Sequence, residues 1–219
     1  MSLGRYVSQS SLPFGEDRAH FENVARLQPS KLFIGLKPNS PLSCRMHRAA
    51  ARHALGRTRR PAYPAHLLHM TLLCVEEFRA PPRHLIPVIQ KAIGGIGARP
   101  IPIALDGSNL FGRKRHLVLT SSTGNRELRS FVRILRNTLS RHNLPRFPLT
   151  SFEPHVTVIY DCGQIDLLPV PQPYAWTAGE FLLIYSHYGE TRHEEFGRWR
   201  FDPDAPPYPS SPEQLRLMI

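Results

Sequence analysis

The feature that most narrows what this chain can become is a short pattern written twice inside apolar, strand-like runs: Leu68-His69-Met70-Thr71-Leu72 and Pro154-His155-Val156-Thr157-Val158. No other His-x-Thr triplet occurs in the sequence. In a strand, residues i and i+2 share a face. Each run therefore projects an imidazole and a hydroxyl together, while Met70 and Leu72, or Val156 and Val158, pack behind. One such pair reads as an ordinary sheet histidine beside an ordinary β-forming threonine. Two pairs in similar strands read differently, because burying imidazoles and hydroxyls costs desolvation unless partners exist. The repetition favours a single site assembled from both strands.

The rest of the pattern alternates strand and helix signals. KLFIGL, 31–36, reads as a buried strand closed by Lys37-Pro38-Asn39, and a helix follows from about Pro41 to a stop at Gly56. A basic, proline-broken loop with Arg57, Arg59 and Arg60 leads into a strand over 67–75 that holds the first motif. A second helix is expected from about Pro82 to Ile96. The segments 101–112 and 116–122 read as two antiparallel strands joined by the basic turn Gly112-Arg113-Lys114-Arg115. The spacing of Leu128, Phe131, Val132, Leu135 and Leu139 predicts a third helix over about 125–142, and strands follow at 153–160, 179–189 and 193–201. Short connections between successive strands give an α+β fold with mostly antiparallel pairing. Residues 1–30 form an N-terminal extension, 31–201 one domain, and 202–219 a Pro-rich C-terminal tail.

Composition narrows the partners. There are 28 Lys and Arg against 17 Asp and Glu, a formal +11 with all 11 histidines neutral. That excess suits a polyanion, whose counterions the basic side chains would release. At 41% apolar residues the chain can bury a core, which excludes a disordered polyelectrolyte. Cys44, Cys74 and Cys162 are odd in number and lack any C-x-x-C spacing, which argues against a zinc site and for a reducing compartment. With neither an apolar signal segment nor an 18-residue apolar run, the protein is expected in the cytoplasm, off the membrane.

Taken in order, KLFIGLKP, LHMTL, SNLFGRKRHLVL, the third helix, FEPHVTV and FGRWRF resemble the 2H phosphoesterase superfamily over about residues 31–201. Within it the layout looks like the LigT-like branch, the RNA 2′,3′-cyclic phosphodiesterases also called 2′-5′ RNA ligases. The resemblance implies a bilobal fold: two pseudo-symmetric lobes of antiparallel sheet, helices outside, and a central cleft lined by the motif strands. It implies no metal and no cofactor. It also suggests His69 as the general acid for a leaving 3′-oxygen and His155 as the general base, an order the symmetry of the sequence does not itself assign. One departure stands out: members often carry an arginine shortly after the second motif, where this sequence has Ile159-Tyr160-Asp161.

The residue types fit that chemistry. Two imidazoles titrate near neutrality and can exchange protons with water and a ribose oxygen. Thr71 and Thr157 offer hydroxyl donors to the non-bridging phosphate oxygens. Arg113 and Arg115 are candidates to grip substrate phosphates, and Phe111 and Tyr160 to stack on a base. His66, three residues before His69, faces the other way if both lie in one strand. The expected substrates are RNA ends or small cyclic-phosphate nucleotides, hydrolysed to a 2′-phosphate or, in reverse, ligated through a 2′-5′ bond. No obligatory protein partner is evident and a monomer is expected. The sequence leaves open a second class, a basic RNA- or nucleotide-binding module whose His-x-Thr pairs hold phosphate without turnover.

Overall fold

The computed structural model describes residues 30–208 apart from 124, 143 and 145–151. The N-terminal extension through residue 29 and the tail beyond 208 lie outside the described residues. Strand β1 (Ser30–Leu36) leads through Asn39 into α1 (Ser40–Ala54), where Asn39 Oδ1 accepts the Leu42 amide at 3.0 Å and Pro41 fits the first turn. A 3-10 turn (Ala65–Leu67) precedes β2 (Met70–Phe78), and α2 (Ile86–Gly94) follows. Next come β3 (Ile101–Leu105), β4 (Gly107–Phe111), β5 (His116–Thr120) and α3 (Arg126–Arg141). The described residues continue with β6 (His155–Ile159), β7 (Tyr174–Ala178), β8 (Glu180–His187) and β9 (Arg192–Arg200).

Among the described residues all strand pairing is antiparallel. A four-stranded sheet runs β2-β1-β8-β9 and a three-stranded one β4-β5-β6, while β3 and β7 form a separate ribbon. The two motif strands, β2 and β6, are therefore edge strands of different sheets, and they contact each other. Helix α1 departs from the first sheet but packs against β6 of the second, while α2 and α3 pack together against β9 and β2. These crossings fuse the two halves into one continuous core running from Leu32 to Phe201. As the helical period predicts, Leu128, Phe131, Val132, Leu135 and Leu139 of α3 are buried, and Arg126, Arg133 and Arg141 are exposed. None of the described helices is long and apolar enough to cross a membrane.

Four boundaries differ from the sequence reading. The strand expected over 67–75 begins only at Met70, because Pro64 starts the 3-10 turn; His66 lies on that turn, so the alternation argument does not apply to it. The expected 82–96 helix shrinks to Ile86–Gly94, its first turns replaced by a tight turn in which the Leu85 amide bonds Pro82 O at 2.8 Å. The segment 101–112 is two strands in different sheets. Asp106 makes the break: its amide bonds Thr120 O at 3.0 Å and its carboxylate accepts the Ser122 amide at 2.8 Å. Strand β7, with sequence YAWTA, was not anticipated; Tyr174, Trp176 and Ala178 alternate inward behind the Pro-rich stretch 169–173. At the start of the C-terminal segment, the Asp202 amide bonds Ala98 O at 2.8 Å and Ala205 is buried.

Candidate active site

Each motif histidine is anchored in the same way. His69 Nδ1 lies 2.8 Å from Leu67 O and His155 Nδ1 lies 2.7 Å from Glu153 O, in both cases the carbonyl two residues upstream. A carbonyl only accepts, so Nδ1 carries the hydrogen in both rings, and when neutral each presents an Nε2 lone pair. Local sequence sets this up. The 3-10 turn supplies Leu67 O, and Pro154 keeps Glu153 extended, which aims Glu153 O at the second ring. Helix α3 braces that approach: Arg129 donates to Phe152 O and pairs with Glu153 at 3.3 Å.

The alternation expected from sequence is present on both strands. Met70, Leu72, Val156 and Val158 are buried, while His69, Thr71, His155 and Thr157 are half-buried. Thr71 stands opposite Gly35 of β1, beside an irregularity in the β1–β2 register. His155 and Thr157 stand opposite Thr120 and Val118 of β5. A Cβ on Gly35 would lie 2.8 Å from Met70 O and 3.0 Å from the Phe33 ring, so the close approach of β1 to the first motif requires glycine here.

The surroundings of the two imidazoles differ. His69 stacks on Phe33, with ring centroids 4.6 Å apart, and meets His193 of β9 edge-on at 5.0 Å. Burial pushes His69 down to about 4, against the pull of its bond to Leu67 and with the help of Lys37 and of His155, whose charge reaches it. His193 is pushed down to about 3, again by burial, reinforced by the His69, Lys37 and His66 charges. Both His193 ring nitrogens are buried without a partner. Lys37 pairs with Glu195 at 2.7 Å. His155 meets Phe111 edge-on at 5.0 Å. Next to it opens a cavity of about 390 Å3 lined by Phe111, Thr120 and Glu153 among others.

The remaining sequence candidates separate. Phe111 reaches the site through His155. Tyr160 lies edge-on to Tyr63 at 4.9 Å and to His116 at 5.2 Å; burial pushes its phenol up, and the Thr157 hydroxyl offsets part of that rise. Arg113 is exposed on its turn. Arg115 turns away, its Nε donating to Gly163 O at 3.0 Å. Where the sequence lacks the arginine common in the resembling family, Asp161 pairs with Arg60 at 3.1 Å, so the basic loop before the first motif is tied to the end of the second. Sequence reasoning missed Phe33, Lys37, His116 and His193. Phe33 lies on the opening strand it did identify and Lys37 directly after it, but their closeness to His69 follows only from the β1–β2 register. His193 is farther still, since it needs β9 to be placed beside β8 and β8 beside β1. Among the described residues no group of three or more His, Cys, Asp and Glu side chains is arranged to hold a metal ion.

Comparison with known proteins bears on the family and the fold. The family model described as the 2′-5′ RNA ligase superfamily matches residues 18–183. The fold is similar to that of Escherichia coli LigT complexed with 3′-AMP, with TM-score 0.65 and 22% identity over 79% of this chain and 98% of that one. LigT complexed with phosphate gives TM-score 0.60 and 21% identity over 80% and 98% of the two chains. The Thermus thermophilus protein TT0787 gives TM-score 0.65 and 16% identity over 80% and 99%. No curated protein matches the sequence. With three quarters of its length covered by one family model and its α+β fold shared with LigT, this chain belongs to the 2′-5′ RNA ligase superfamily of 2H phosphoesterases.

Proposed function

We propose that the protein is a cyclic phosphodiesterase that opens the 2′,3′-cyclic phosphate of RNA ends or small nucleotides to a 2′-phosphate, by acid and base catalysis from His69 and His155 and without a metal. The observation that carries this reading is the matched anchoring of the two rings. Each donates Nδ1–H to a backbone carbonyl, each keeps Nε2 for chemistry, and each has a threonine two residues on, on strands that touch. His155 removes a proton from water as its oxygen forms the new bond to phosphorus. The bond to the ribose 3′-oxygen breaks, and His69 delivers a proton to that oxygen. Thr71 and Thr157 donate to the equatorial oxygens as charge gathers on them. With a 5′-hydroxyl in place of water, the same steps in the same direction join RNA ends through a 2′-5′ bond. The site is built within one chain, which suits a monomer acting in the cytoplasm.

This order makes a demand on His69. An acid must carry its proton, and burial holds the empty-cleft value near 4. A phosphate anion bound beside the ring favours the imidazolium and raises that value. The lower limb of kcat/KM, which reports the free protein, should therefore lie near pH 4, and that of kcat should lie at least about one unit higher. Rate profiles from pH 3.5 to 9 check this. Rescue of His155→Ala, rather than of His69→Ala, by a phosphodiester whose leaving group needs no proton would make His69 the base and reverse the order. Binding of a nucleoside 2′-phosphate with no turnover at any pH would instead favour the non-catalytic RNA- or nucleotide-binding module.

A further inference from the structure

The sheet that carries the second motif presents a third histidine, which the acid and base steps do not use. Strand β5 pairs Thr120 with His155 and Val118 with Thr157, and β4 pairs Phe111 with His116. Paired positions share a face, and so do residues i and i+2. His116, Val118 and Thr120 therefore stand on the same side as His155, Thr157 and Phe111, while Leu117 and Leu119 alternate into the main core. The irregularity in this ladder, an extra residue at Val158, belongs to β6 and leaves the alternation of β5 intact.

The ring of His116 has a fixed polarity. Its Nδ1 accepts the Asp161 amide at 2.9 Å. A backbone N–H only donates, so this nitrogen bears the lone pair and Nε2 bears the hydrogen, the reverse of His69 and His155. Burial lowers the value of His116 against the pull of Asp161, and the charges of Lys114, Lys31 and His155 add to the lowering. The neutral ring is thereby favoured near neutrality, with Nε2–H as its donor. Two of those charges, Lys31 of β1 and His155 of β6, come from the two sheets that carry the motifs. The ring is half-buried, and its Nε2 is open rather than enclosed, with no partner among the described residues. Aromatic rings flank it. Tyr160, 38% exposed, lies edge-on at 5.2 Å, and Phe111, opposite in register, meets His155 edge-on at 5.0 Å. An anchored neutral donor between two aromatic rings, beside the His155 and Thr157 pair, suits a flat heteroaromatic group with acceptors on its edge.

We propose that His116 is a specificity-determining residue that binds the nucleobase of the substrate. Its Nε2–H donates to a ring nitrogen or carbonyl oxygen on the base edge, and the base lies against Phe111 and Tyr160. This rests on the reading of the cleft as a nucleotide site and adds which part of the nucleotide the third imidazole touches.

The native chain, His116→Phe and His116→Gln are assayed on the common nucleoside 2′,3′-cyclic phosphates and on methyl ribofuranoside 2,3-cyclic phosphate, which has no base. Phenylalanine keeps a ring and removes the donor, whereas glutamine returns an N–H near the place of Nε2. His116→Phe should lower kcat/KM on at least one base-bearing substrate by ~5-fold or more beyond its effect on the base-free one, and His116→Gln should recover most of that loss. Calorimetry with the corresponding nucleoside 2′-phosphate repeats the comparison without turnover and should show a similar ~5-fold loss of affinity in His116→Phe. In the native chain, 15N NMR should find His116 protonated at Nε2, and that signal should move when the nucleoside 2′-phosphate is added. The proposal is overturned if His116→Phe binds and turns over every substrate as the native chain does, or if it loses as much on the base-free substrate, which would assign His116 to the phosphate. It is also overturned if the native chain binds no nucleoside 2′-phosphate, or binds one with the His116 signal unmoved. A native chain that opens no cyclic phosphate yet binds nucleoside 2′-phosphates through His116 would remove the phosphodiesterase reading and leave this one standing.

Discussion

Replacing His155 by Ala will lower kcat on a nucleoside 2′,3′-cyclic phosphate by about 10³-fold or more, and His69→Ala will do the same, because positioned proton transfer contributes roughly 10² to 10⁴ to such a reaction. The two losses should not add. Once one proton transfer is gone the other has no concerted partner, so the double variant should fall within about ten-fold of the worse single one. The structural costs differ and can be separated from the catalytic ones. His155 sits half-buried on an edge strand, and its truncation should leave the thermal transition nearly unchanged. His69 is stacked on Phe33 and wedged by His193, so its truncation should lower stability by about 1 kcal/mol on the scale of aromatic-pair energies. Steady-state rates alongside thermal melts of all three variants check both statements. Equal small losses in kcat would mean that the imidazoles bind phosphate without moving protons.

The second large effect belongs to the threonines. Thr71→Val and Thr157→Val keep the β-branched shape and remove one donor each, and each should lower kcat by about 10²-fold with little change in KM, as expected for a hydrogen bond that strengthens in the transition state. The two positions differ in one respect. Burial raises the Tyr160 phenol and the Thr157 hydroxyl works against that rise, whereas Thr71 has no such effect on Tyr160. Combining Thr157→Val with Tyr160→Phe should therefore be non-additive, and combining Thr71→Val with Tyr160→Phe should be additive. A coupling of the same size at both threonines would remove Tyr160 from any specific role in orienting Thr157.

How much of this was legible in the sequence depended on the range of the interaction. The His-x-Thr alternation rests on a two-residue period, and Met70, Leu72, Val156 and Val158 are buried behind the motifs as that period predicts. The buried stripe of α3 rests on a 3.6-residue period and was equally visible. Boundaries failed where a single polar or proline residue overruled an apolar run. Asp106 splits 101–112 by bonding across to Thr120 and Ser122, and Pro64 delays β2 with a 3-10 turn. The asymmetry of the site was not legible at all. Both motifs look alike in sequence, yet among the described residues Phe33 and His193 close around the first ring while the second meets the edge of Phe111. His193 lies 124 positions after His69 and comes alongside it only through the order β2-β1-β8-β9. The missing arginine after the second motif was visible as an absence, but its replacement by an Arg60–Asp161 pair was not.

The charge excess that first pointed to a polyanion bears on encounter rather than on chemistry. Eleven net positive charges raise the local concentration of an anionic substrate and do so less at high salt. The groups proposed to act on phosphorus are neutral or transiently charged side chains. The measurement that tests the central claim most directly is 31P NMR of a nucleoside 2′,3′-cyclic phosphate incubated with the purified protein in the presence of EDTA. The account predicts that the cyclic resonance gives way to a single 2′-phosphomonoester with the native chain and persists with His69→Ala or His155→Ala. A cyclic resonance unchanged by the native chain, or converted equally well by either variant, would contradict it.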